Sequence, residues 1–187
     1  MADIIDAKSL DIKKIAERVR QGQVFIYPTD TVYGIGCDAT NEASVKRVYA
    51  IKGRDFKKPL SVAFSQMEHL IRFVSINETG RETMAGKLPG AYTFIVKNKS
   101  ISPGVTASLG TVGVRIPDYQ PLLSLIKKAG VPVVTTSANL SGEVPSNDIA
   151  NLSPEILKKA DFVIDAGECG SGKPSTIIDL STGKKIR

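Results

Sequence analysis

The sequence predicts an α/β protein in which a twisted, mixed β-sheet is flanked by helices. Segments with helical spacing of apolar residues alternate with short apolar runs through all 187 residues. Hydrophobic residues make up 42% of the chain, which is enough for one substantial core. Because no repeat, linker or low-complexity tract divides the sequence, we expect a single domain.

Six helices are predicted from apolar periodicity and from residues typical of helix ends. The first follows a capping residue, Asp11, and ends near Gly22, whereas the second begins after Asn41 and ends at Gly53. Ser153 begins the last helix, with a proline and an acid in its first turn. The predicted helices span residues 11–22, 41–53, 66–73, 78–87, 121–129 and 153–160.

Short apolar runs between these helices predict seven strands. Pro28 ends the first strand, and the polar, glycine-containing stretch 29–40 that follows is expected to be a loop. Two further stretches, 86–90 and 100–110, are expected to be loops within the domain. The predicted strands span residues 24–27, 60–64, 92–96, 112–116, 132–136, 162–165 and 176–180.

The composition excludes several classes of protein. The net charge is +6, and no apolar run approaches the roughly 18 residues that a membrane span needs. The first ten residues lack the apolar segment of a secretory signal, so we expect a cytoplasmic protein with no membrane partner, in which Cys37 and Cys169 are free thiols. His69 is the one histidine, which argues against a protein-ligated metal site built from Cys and His.

Two glycine-rich segments imitate nucleotide-binding motifs but fail on context. Residues 167–173 nearly match a P-loop, yet Pro174 stands where the motif needs a hydroxyl, and a strand follows where it needs a helix. We therefore expect a flexible surface loop there. Gly34 and Gly36 imitate a dinucleotide fingerprint but come too late after the strand, so we expect them to allow positive φ angles in a loop.

Three polar stretches concentrate groups that bind anions. Residues 28–36 hold two threonines, an aspartate and a tyrosine, 52–58 hold four basic residues around a glycine, and 135–142 are rich in hydroxyls. Hydroxyls, backbone amides and a forked guanidinium suit phosphate and carboxylate ligands. A solvated basic helix end and an ordinary turn are the alternative interpretations of the last two stretches.

Six segments of the sequence carry a resemblance to a known family. They read PTDTVYGIGCDA, IKGRDFKKPLSV, PGAYTFIVK, TVGVRIPDY, VVTTSANLSGEVPS and PSTIID. In order and approximate spacing they resemble the YrdC/Sua5 family, the L-threonylcarbamoyladenylate synthases, and the resemblance covers residues 9–187. It implies a single YrdC-like domain of the short type, whose twisted sheet carries a positively charged concave face.

The resemblance also implies an activity. Members of this family make L-threonylcarbamoyladenylate and pyrophosphate from L-threonine, bicarbonate and ATP, with Mg²⁺ bound to the ATP. A separate tRNA threonylcarbamoyltransferase uses the product to form t⁶A at position 37 of tRNAs. This chain is therefore expected to be a nucleotidyltransferase of tRNA modification that works in the cytoplasm, and a weak contact with tRNA is compatible with this role.

The resemblance further implies which residues form the site. L-Threonine is expected at Thr31, Arg115, Ser137 and Ser175. Catalysis is expected at Lys52 and Arg54, whose charges would neutralise the reacting phosphoryl group. The implied ATP-binding residues are Arg54, Lys58, Thr111, Asn139, Ser146 or Asn147, and Arg187. Two positions depart from the pattern, because some relatives have His where Ala63 stands and Asn where Lys58 stands.

An RNA-binding module without catalysis is the alternative function. The positive net charge suits a phosphate backbone. However, only 6% of the residues are aromatic and none is Trp, so the stacking platforms of single-strand binders are poorly supplied. ATP consumption that requires L-threonine but no RNA distinguishes the two functions.

Overall fold

A mixed sheet of ten strands crosses the computed structural model, which describes residues 2–187. The strands are β1 (Asp3–Asp6), β2 (Phe25–Tyr27), β3 (Gly34–Gly36), β4 (Ser61–Ala63), β5 (Val74–Ser75), β6 (Tyr92–Asn98), β7 (Thr111–Arg115), β8 (Val133–Ser137), β9 (Phe162–Asp165) and β10 (Thr176–Asp179). The α-helices are α1 (Ile12–Arg20), α2 (Glu42–Lys52), α3 (Met67–Leu70), α4 (Glu78–Ala85), α5 (Pro103–Thr106), α6 (Gln120–Ala129) and α7 (Pro154–Lys159). Short 3-10 turns occupy Ala7–Ser9 and Ile149–Asn151.

The strand order confirms the predicted mixed α/β class. Along the sheet the strands run β1, β9, β2, β3, β8, β4, β7, β6, β10, and β5 pairs with β6. The strand β9 is parallel to both of its neighbours, β4 is parallel to β7, and β6 is parallel to β10. By contrast, β3 and β8 are antiparallel to both of theirs.

The predicted loop 29–40 contains the strand β3, in the middle of the sheet. A Cβ on Gly36 would lie 1.9 Å from the carbonyl oxygen of Val134, and one on Gly34 would lie 2.9 Å from the ring of Tyr27. Neither glycine has a positive φ, so the interpretation of the pair as left-handed loop residues is wrong. They are glycines because the neighbouring strand and ring approach too closely for a side chain.

Other short elements also depart from the prediction. The sheet begins with β1 at Asp3, a strand that the sequence does not predict, and β1 pairs with β9. The helix α5 lies inside the predicted loop 100–110, and the helix predicted over 66–73 is only the four residues of α3. Elements of two to four residues carry too little periodicity to be detected in a sequence.

Two hydrophobic clusters lie on opposite faces of the sheet, because neighbouring side chains along a strand alternate. Val24 and Ile26 belong to the larger cluster, whereas Phe25 and Tyr27 belong to the smaller one, over which α1 and α6 pack. In the described chain, this smaller cluster takes buried side chains from β2, β8 and β9 but only Ala63 from the other half of the sheet. The two helices therefore leave the same face of β4, β6, β7 and β10 open.

The expectation for the two cysteines agrees with the fold. Cys37 and Cys169 are buried free thiols, as predicted. His69 lies on the short helix α3, where its ring packs edge-on against Phe64 and Phe73. Across residues 2–187, no helix combines the length and the apolar character that crossing a membrane requires.

Candidate active site

A cavity of about 450 Å³ occupies the open part of the sheet face. Side chains that share this face of neighbouring strands line it: Ser61, Thr93, Ile95, Arg115 and Thr135. Gly113 keeps the surface between them low, because a Cβ there would lie 2.7 Å from Ser61 Oγ. The volume falls in the range of small-molecule sites.

Positive charge and hydroxyl groups dominate the cavity wall. Its cationic side chains are Arg54, Lys58, Arg115 and Arg187. Hydroxyls come from Thr29, Thr31, Ser137 and Ser175, in addition to those of Ser61, Thr93 and Thr135. Among the described residues that line the cavity there is no Asp or Glu. Such a wall suits ligands that carry phosphate or carboxylate groups.

The loop between β2 and β3 presents two threonines whose hydroxyls are hydrogen-bonded to each other. Thr29 Oγ1 lies 2.8 Å from Thr31 Oγ1 and 2.8 Å from the carbonyl oxygen of Val32. It also accepts a hydrogen bond from the Thr31 N–H at 3.0 Å. Both threonines are almost fully buried. These bonds fix the two side chains at the cavity wall.

Arg115, at the end of β7, forms a buried ion pair with Asp30 from the same loop. Nη2 lies 2.5 Å from Asp30 Oδ1, and the two side chains are 8% and 10% exposed. Arg115 Nη1 lies 3.4 Å from Thr31 Oγ1. Burial lowers the pKa of Arg115 and the charge of Asp30 opposes this shift. Because Arg115 Nε and Asp30 Oδ2 have no partner, the pair retains capacity for a further hydrogen bond.

A basic turn after α2 places Arg54 at the cavity. Gly53 ends the helix with φ of 59°, a left-handed conformation that suits glycine because it has no Cβ. Arg54 then donates from Nε to the carbonyl oxygen of Lys58 at 3.2 Å and from Nη2 to that of Pro59 at 2.9 Å. The guanidinium is therefore held along its own turn, with donors left for a ligand.

Lys52 precedes this turn but does not line the cavity. It is 2% exposed, and its ammonium donates to the carbonyl oxygens of Ser137 and, at 2.7 Å, Asn139. Burial lowers the pKa of Lys52 to about 8, and the nearby charge of Arg54 acts in the same direction. The side chain ties the end of α2 to the segment that follows β8.

Ser175, directly before β10, is hydrogen-bonded to the neighbouring strand β6. Its Oγ lies 2.8 Å from Thr93 Oγ1, and both residues are buried. Arg187 reaches the same place because the chain folds back along β10, where the Ile177 N–H donates to the Arg187 carbonyl oxygen at 3.0 Å. The Arg187 guanidinium donates to the Ser175 carbonyl oxygen from Nε and Nη2, at 3.2 Å each.

The glycine-rich segment 167–173 is bonded to the loop that carries the two threonines. The Ser171 N–H donates to the Asp30 carbonyl oxygen at 3.2 Å, and the Gly172 N–H donates to that of Thr31 at 2.9 Å. Gly170, with φ of 57°, packs so closely that a Cβ would lie 2.5 Å from Thr31 N. The segment is a largely exposed loop, as expected from the sequence, and these contacts anchor it; its flexibility stays a prediction.

Seven predicted site residues share the cavity, although they come from distant parts of the chain. They are Thr31, Arg54, Lys58, Arg115, Ser137, Ser175 and Arg187. Five predicted residues do not line it: Lys52, Thr111, Asn139, Ser146 and Asn147. Thr111 is exposed at the start of β7. The assignment of these residues to catalysis and ATP binding stays a prediction.

The predicted residues after β8 are engaged in bonds within the protein. Asn139 donates from Nδ2 to the carbonyl oxygens of Leu140 and Glu143, both at 2.8 Å, while its Oδ1 is buried without a partner. Ser146 Oγ donates to the Asp148 carbonyl oxygen at 3.0 Å. Asn147 donates from Nδ2 to a side-chain oxygen of Glu168 at 3.2 Å. These bonds order the segment beside the cavity.

The sequence does not predict every residue of the site. Thr29 and Asp30 lie in the polar stretch 28–36, but no role is predicted for either. Thr93 stands between two aromatic residues of β6, so a hydroxyl in an aromatic and apolar run was the available signal. No sequence pattern reveals that Thr93 faces Ser175, because 82 residues separate them.

The side chains that line the cavity do not suit a metal ion ligated by the protein. Within residues 2–187, no three His, Cys, Asp or Glu side chains come together in a group that could hold one. Asp30, the carboxylate beside the cavity, is committed to Arg115. Cations and hydroxyls are poor ligands for Mg²⁺ compared with carboxylates and phosphates.

Fold and cavity together define an α/β protein with a positively charged cavity on one face of its sheet. Residues 17–187 match the family model Sua5_yciO_yrdC, which is described as telomere recombination. That match spans most of the sequence, and the chain therefore belongs to the Sua5/YciO/YrdC family.

Several curated proteins are similar to this chain over most of its length. A putative threonylcarbamoyl-AMP synthase of Methanocaldococcus jannaschii is 38% identical over 178 residues, which cover 93% of this chain and 84% of the relative. The threonylcarbamoyl-AMP synthase of Thiobacillus denitrificans is 35% identical over 171 residues, 90% of each chain. That of Bacillus subtilis is 34% identical over 185 residues, which cover 96% of this chain but 54% of the relative.

Solved structures of relatives share the fold. Sua5 of P. abyssi in complex with L-threonine superposes with a TM-score of 0.86 at 29% identity, covering 97% of this chain and 54% of that one. YciO of E. coli gives a TM-score of 0.89 at 25% identity, covering 100% and 95%. The chain thus spans about half the length of P. abyssi Sua5 and of the B. subtilis relative.

Proposed function

We propose that this chain makes L-threonylcarbamoyladenylate and pyrophosphate from L-threonine, bicarbonate and ATP. The protonated amine of L-threonine and bicarbonate condense to a carbamate, and one water and one proton are released. A carbamate oxygen then attacks the α-phosphorus of ATP, the bond from that phosphorus to the bridging oxygen breaks, and pyrophosphate leaves with the electron pair. No covalent bond to the enzyme is needed.

The observation that carries this proposal is the convergence of four cations and several ordered hydroxyls in one cavity. An amino acid and a triphosphate together bring one carboxylate and a chain of phosphates, which such a wall complements. Relatives that match this chain over 84–90% of their own length are named threonylcarbamoyl-AMP synthases. The complex of P. abyssi Sua5 with L-threonine supports the amino acid substrate.

Arg115 is the candidate for binding the carboxylate of L-threonine. Its two terminal nitrogens carry four N–H groups, of which Thr31 and Asp30 engage one each, so donors remain for a carboxylate. The ion pair also fixes the plane of the guanidinium, which matters for a bidentate contact. Ser137 and Ser175 line the same cavity and would supply further hydrogen bonds to the amino acid.

Arg54, Lys58 and Arg187 are the candidates for binding ATP. Their charges would neutralise the oxygens of the transferring phosphoryl group and of the leaving pyrophosphate, so catalysis is positioning plus electrostatic stabilisation. The Lys52 ammonium donates hydrogen bonds to two carbonyl oxygens, and we propose that Lys52 holds this site in place. Mg²⁺ would enter with the phosphates of ATP, since the cavity offers it no carboxylate.

The proposal includes the fate of the product. L-Threonylcarbamoyladenylate would pass to a tRNA threonylcarbamoyltransferase that forms t⁶A, in the cytoplasm. A mixed anhydride of a carbamate and a phosphate is reactive in water, so a downstream enzyme that takes it up directly fits its chemistry. The alternative is that the positive charge of this chain binds tRNA directly.

The test incubates the purified chain with ATP, Mg²⁺ and bicarbonate, with and without L-threonine, and follows pyrophosphate and the adenylate by mass. We expect both products only when L-threonine is present and without any RNA. The variant Arg54→Ala should lose roughly 100-fold to 1,000-fold in kcat. Lys127→Ala, on the exposed end of α6, is the matched control and should be unaffected. Equal pyrophosphate release without L-threonine would refute the proposal.

A further inference from the structure

The hydrogen bonds between Thr29 and Thr31 have a defined direction. A threonine hydroxyl has one proton to donate and two lone pairs that accept. The carbonyl oxygen of Val32 only accepts, so the proton of Thr29 points at it over 2.8 Å. The 2.8 Å contact between the two hydroxyls therefore uses the proton of Thr31. Since Thr29 Oγ1 also accepts the Thr31 N–H at 3.0 Å, its hydrogen-bonding capacity is full.

Thr31 Oγ1 is left with lone pairs and no proton for a ligand. Arg115 Nη1, which only donates, lies 3.4 Å from this oxygen and agrees with its role as an acceptor. Because Thr31 lines the cavity, the group that it presents there is an acceptor. A carboxylate or phosphate oxygen has no proton and finds no partner at this point of the wall. A hydroxyl group of the ligand does.

We infer that Thr29 is a positioning residue, which holds the Thr31 hydroxyl as a hydrogen-bond acceptor for the side-chain hydroxyl of the bound amino acid. The inference rests on the proposed function, which supplies a β-hydroxy amino acid as the ligand. Carbamate formation changes the amine of that ligand into a nitrogen with a single N–H, whereas the side-chain hydroxyl is a donor that the reaction leaves unchanged.

This arrangement gives the site a means of rejecting valine. Valine has the shape of threonine with a methyl group in place of the hydroxyl, so an apolar pocket discriminates poorly between the two. With valine bound, the remaining lone pair of Thr31 Oγ1, which is buried and already oriented, has no donor, and this costs affinity. Thr29 contributes to this selectivity through Thr31, because it removes the alternative in which Thr31 turns its own proton toward the cavity.

A binding experiment with a matched pair of variants tests the inference. Calorimetry on the wild-type chain should show L-threonine binding at least roughly 10-fold more tightly than L-valine. Thr29→Val keeps the shape but not the hydroxyl, and should reduce this ratio roughly fivefold. Thr29→Ser keeps the hydroxyl and should restore it. The ratio of L-threonine to L-serine, both of which carry the hydroxyl, should stay constant, whereas a general loosening of the cavity would change both ratios.

A measurement on the wild-type chain alone covers the case in which Thr29→Val does not fold. In 2-amino-3-fluorobutyrate, fluorine replaces the hydroxyl and accepts but cannot donate, so this analogue should bind no better than L-valine. Binding within about threefold of L-threonine would overturn the inference, and so would an unchanged threonine-to-valine ratio in folded Thr29→Val. If the wild-type chain does not bind L-threonine at all, the proposed function fails and the inference fails with it.

Discussion

At the residue scale, the basic pair of the KGR motif divides into two roles. Arg54 lines the cavity, whereas Lys52 is buried with its ammonium on two carbonyl oxygens. Burying a charged group costs folding free energy unless the group is paired or hydrogen-bonded. Here the acceptors are the carbonyl oxygens of Ser137 and Asn139, so the hydrogen bonds of Lys52 hold one side of the site.

Lys52→Met is expected to lower the unfolding free energy by roughly 2 kcal/mol, because two carbonyl oxygens lose their donor. The pKa of Lys52 in the fold is about 8, against 10.5 ordinarily. Between these values the unfolded chain binds more protons, so the stability of the wild type relative to the variant should rise with pH. Urea unfolding at pH 7 and pH 10 measures this difference. A difference that does not depend on pH would contradict the buried ammonium.

At the element scale, the strand β3 is what joins the two halves of the sheet. It pairs with β2 on one side and β8 on the other, although two of its three residues are glycine. Such a strand has little intrinsic preference for its conformation and depends on its neighbours. The two threonines of the preceding loop are positioned by it, so packing at Gly36 also affects the cavity.

Gly36→Ala is expected to destabilise the chain by about 3 kcal/mol or more, because the added Cβ would lie 1.9 Å from a backbone oxygen of β8. Gly110→Ala is the matched control, since a Cβ there meets nothing within 4 Å, and it should change stability by less than about 0.5 kcal/mol. Thermal unfolding of the two variants gives the comparison. Equal melting temperatures would mean that β3 does not pack as described.

The ion pair of Arg47 and Asp161 joins α2 to the segment before β9, with contacts of 2.8 and 2.9 Å. Burial raises the pKa of Asp161, but hydrogen bonds from Arg47 and from the Val24 N–H outweigh it, and the pKa is lowered from 3.8. The resulting stability is present above pH 3.8 and is lost as the pH falls through the lowered pKa. The wild type should therefore exceed Asp161→Asn in unfolding free energy at pH 6, and this advantage should shrink at pH 2 to 3.

At the scale of the whole molecule, the cavity exists because helices cover only half of one sheet face. The helices α1 and α6 bury the side chains of β2, β8 and β9 there, and the loops that carry Thr31, Arg54 and Ser175 rise around the uncovered strands. The sequence predicted the long helices and apolar strands, whose periodicity is local. It did not predict β3, which depends on pairing with β8, or the ion pair of Asp30 with Arg115, which is 85 residues away.

The proposed enzyme and an RNA-binding module differ in which positive charges of the molecule matter for binding. Lys58→Glu and Lys127→Glu change the net charge equally, but Lys58 lines the cavity and Lys127 lies exposed in the last turn of α6. A phosphate backbone spread over the surface responds to the charge of many residues, whereas bound ATP responds to the residues around it. We therefore expect Lys58→Glu to raise the KM for ATP by roughly 10-fold or more and Lys127→Glu to leave it unchanged, in assays of pyrophosphate release. A similar increase of the KM for ATP in both variants would indicate that the charge acts over the whole surface, as RNA binding requires.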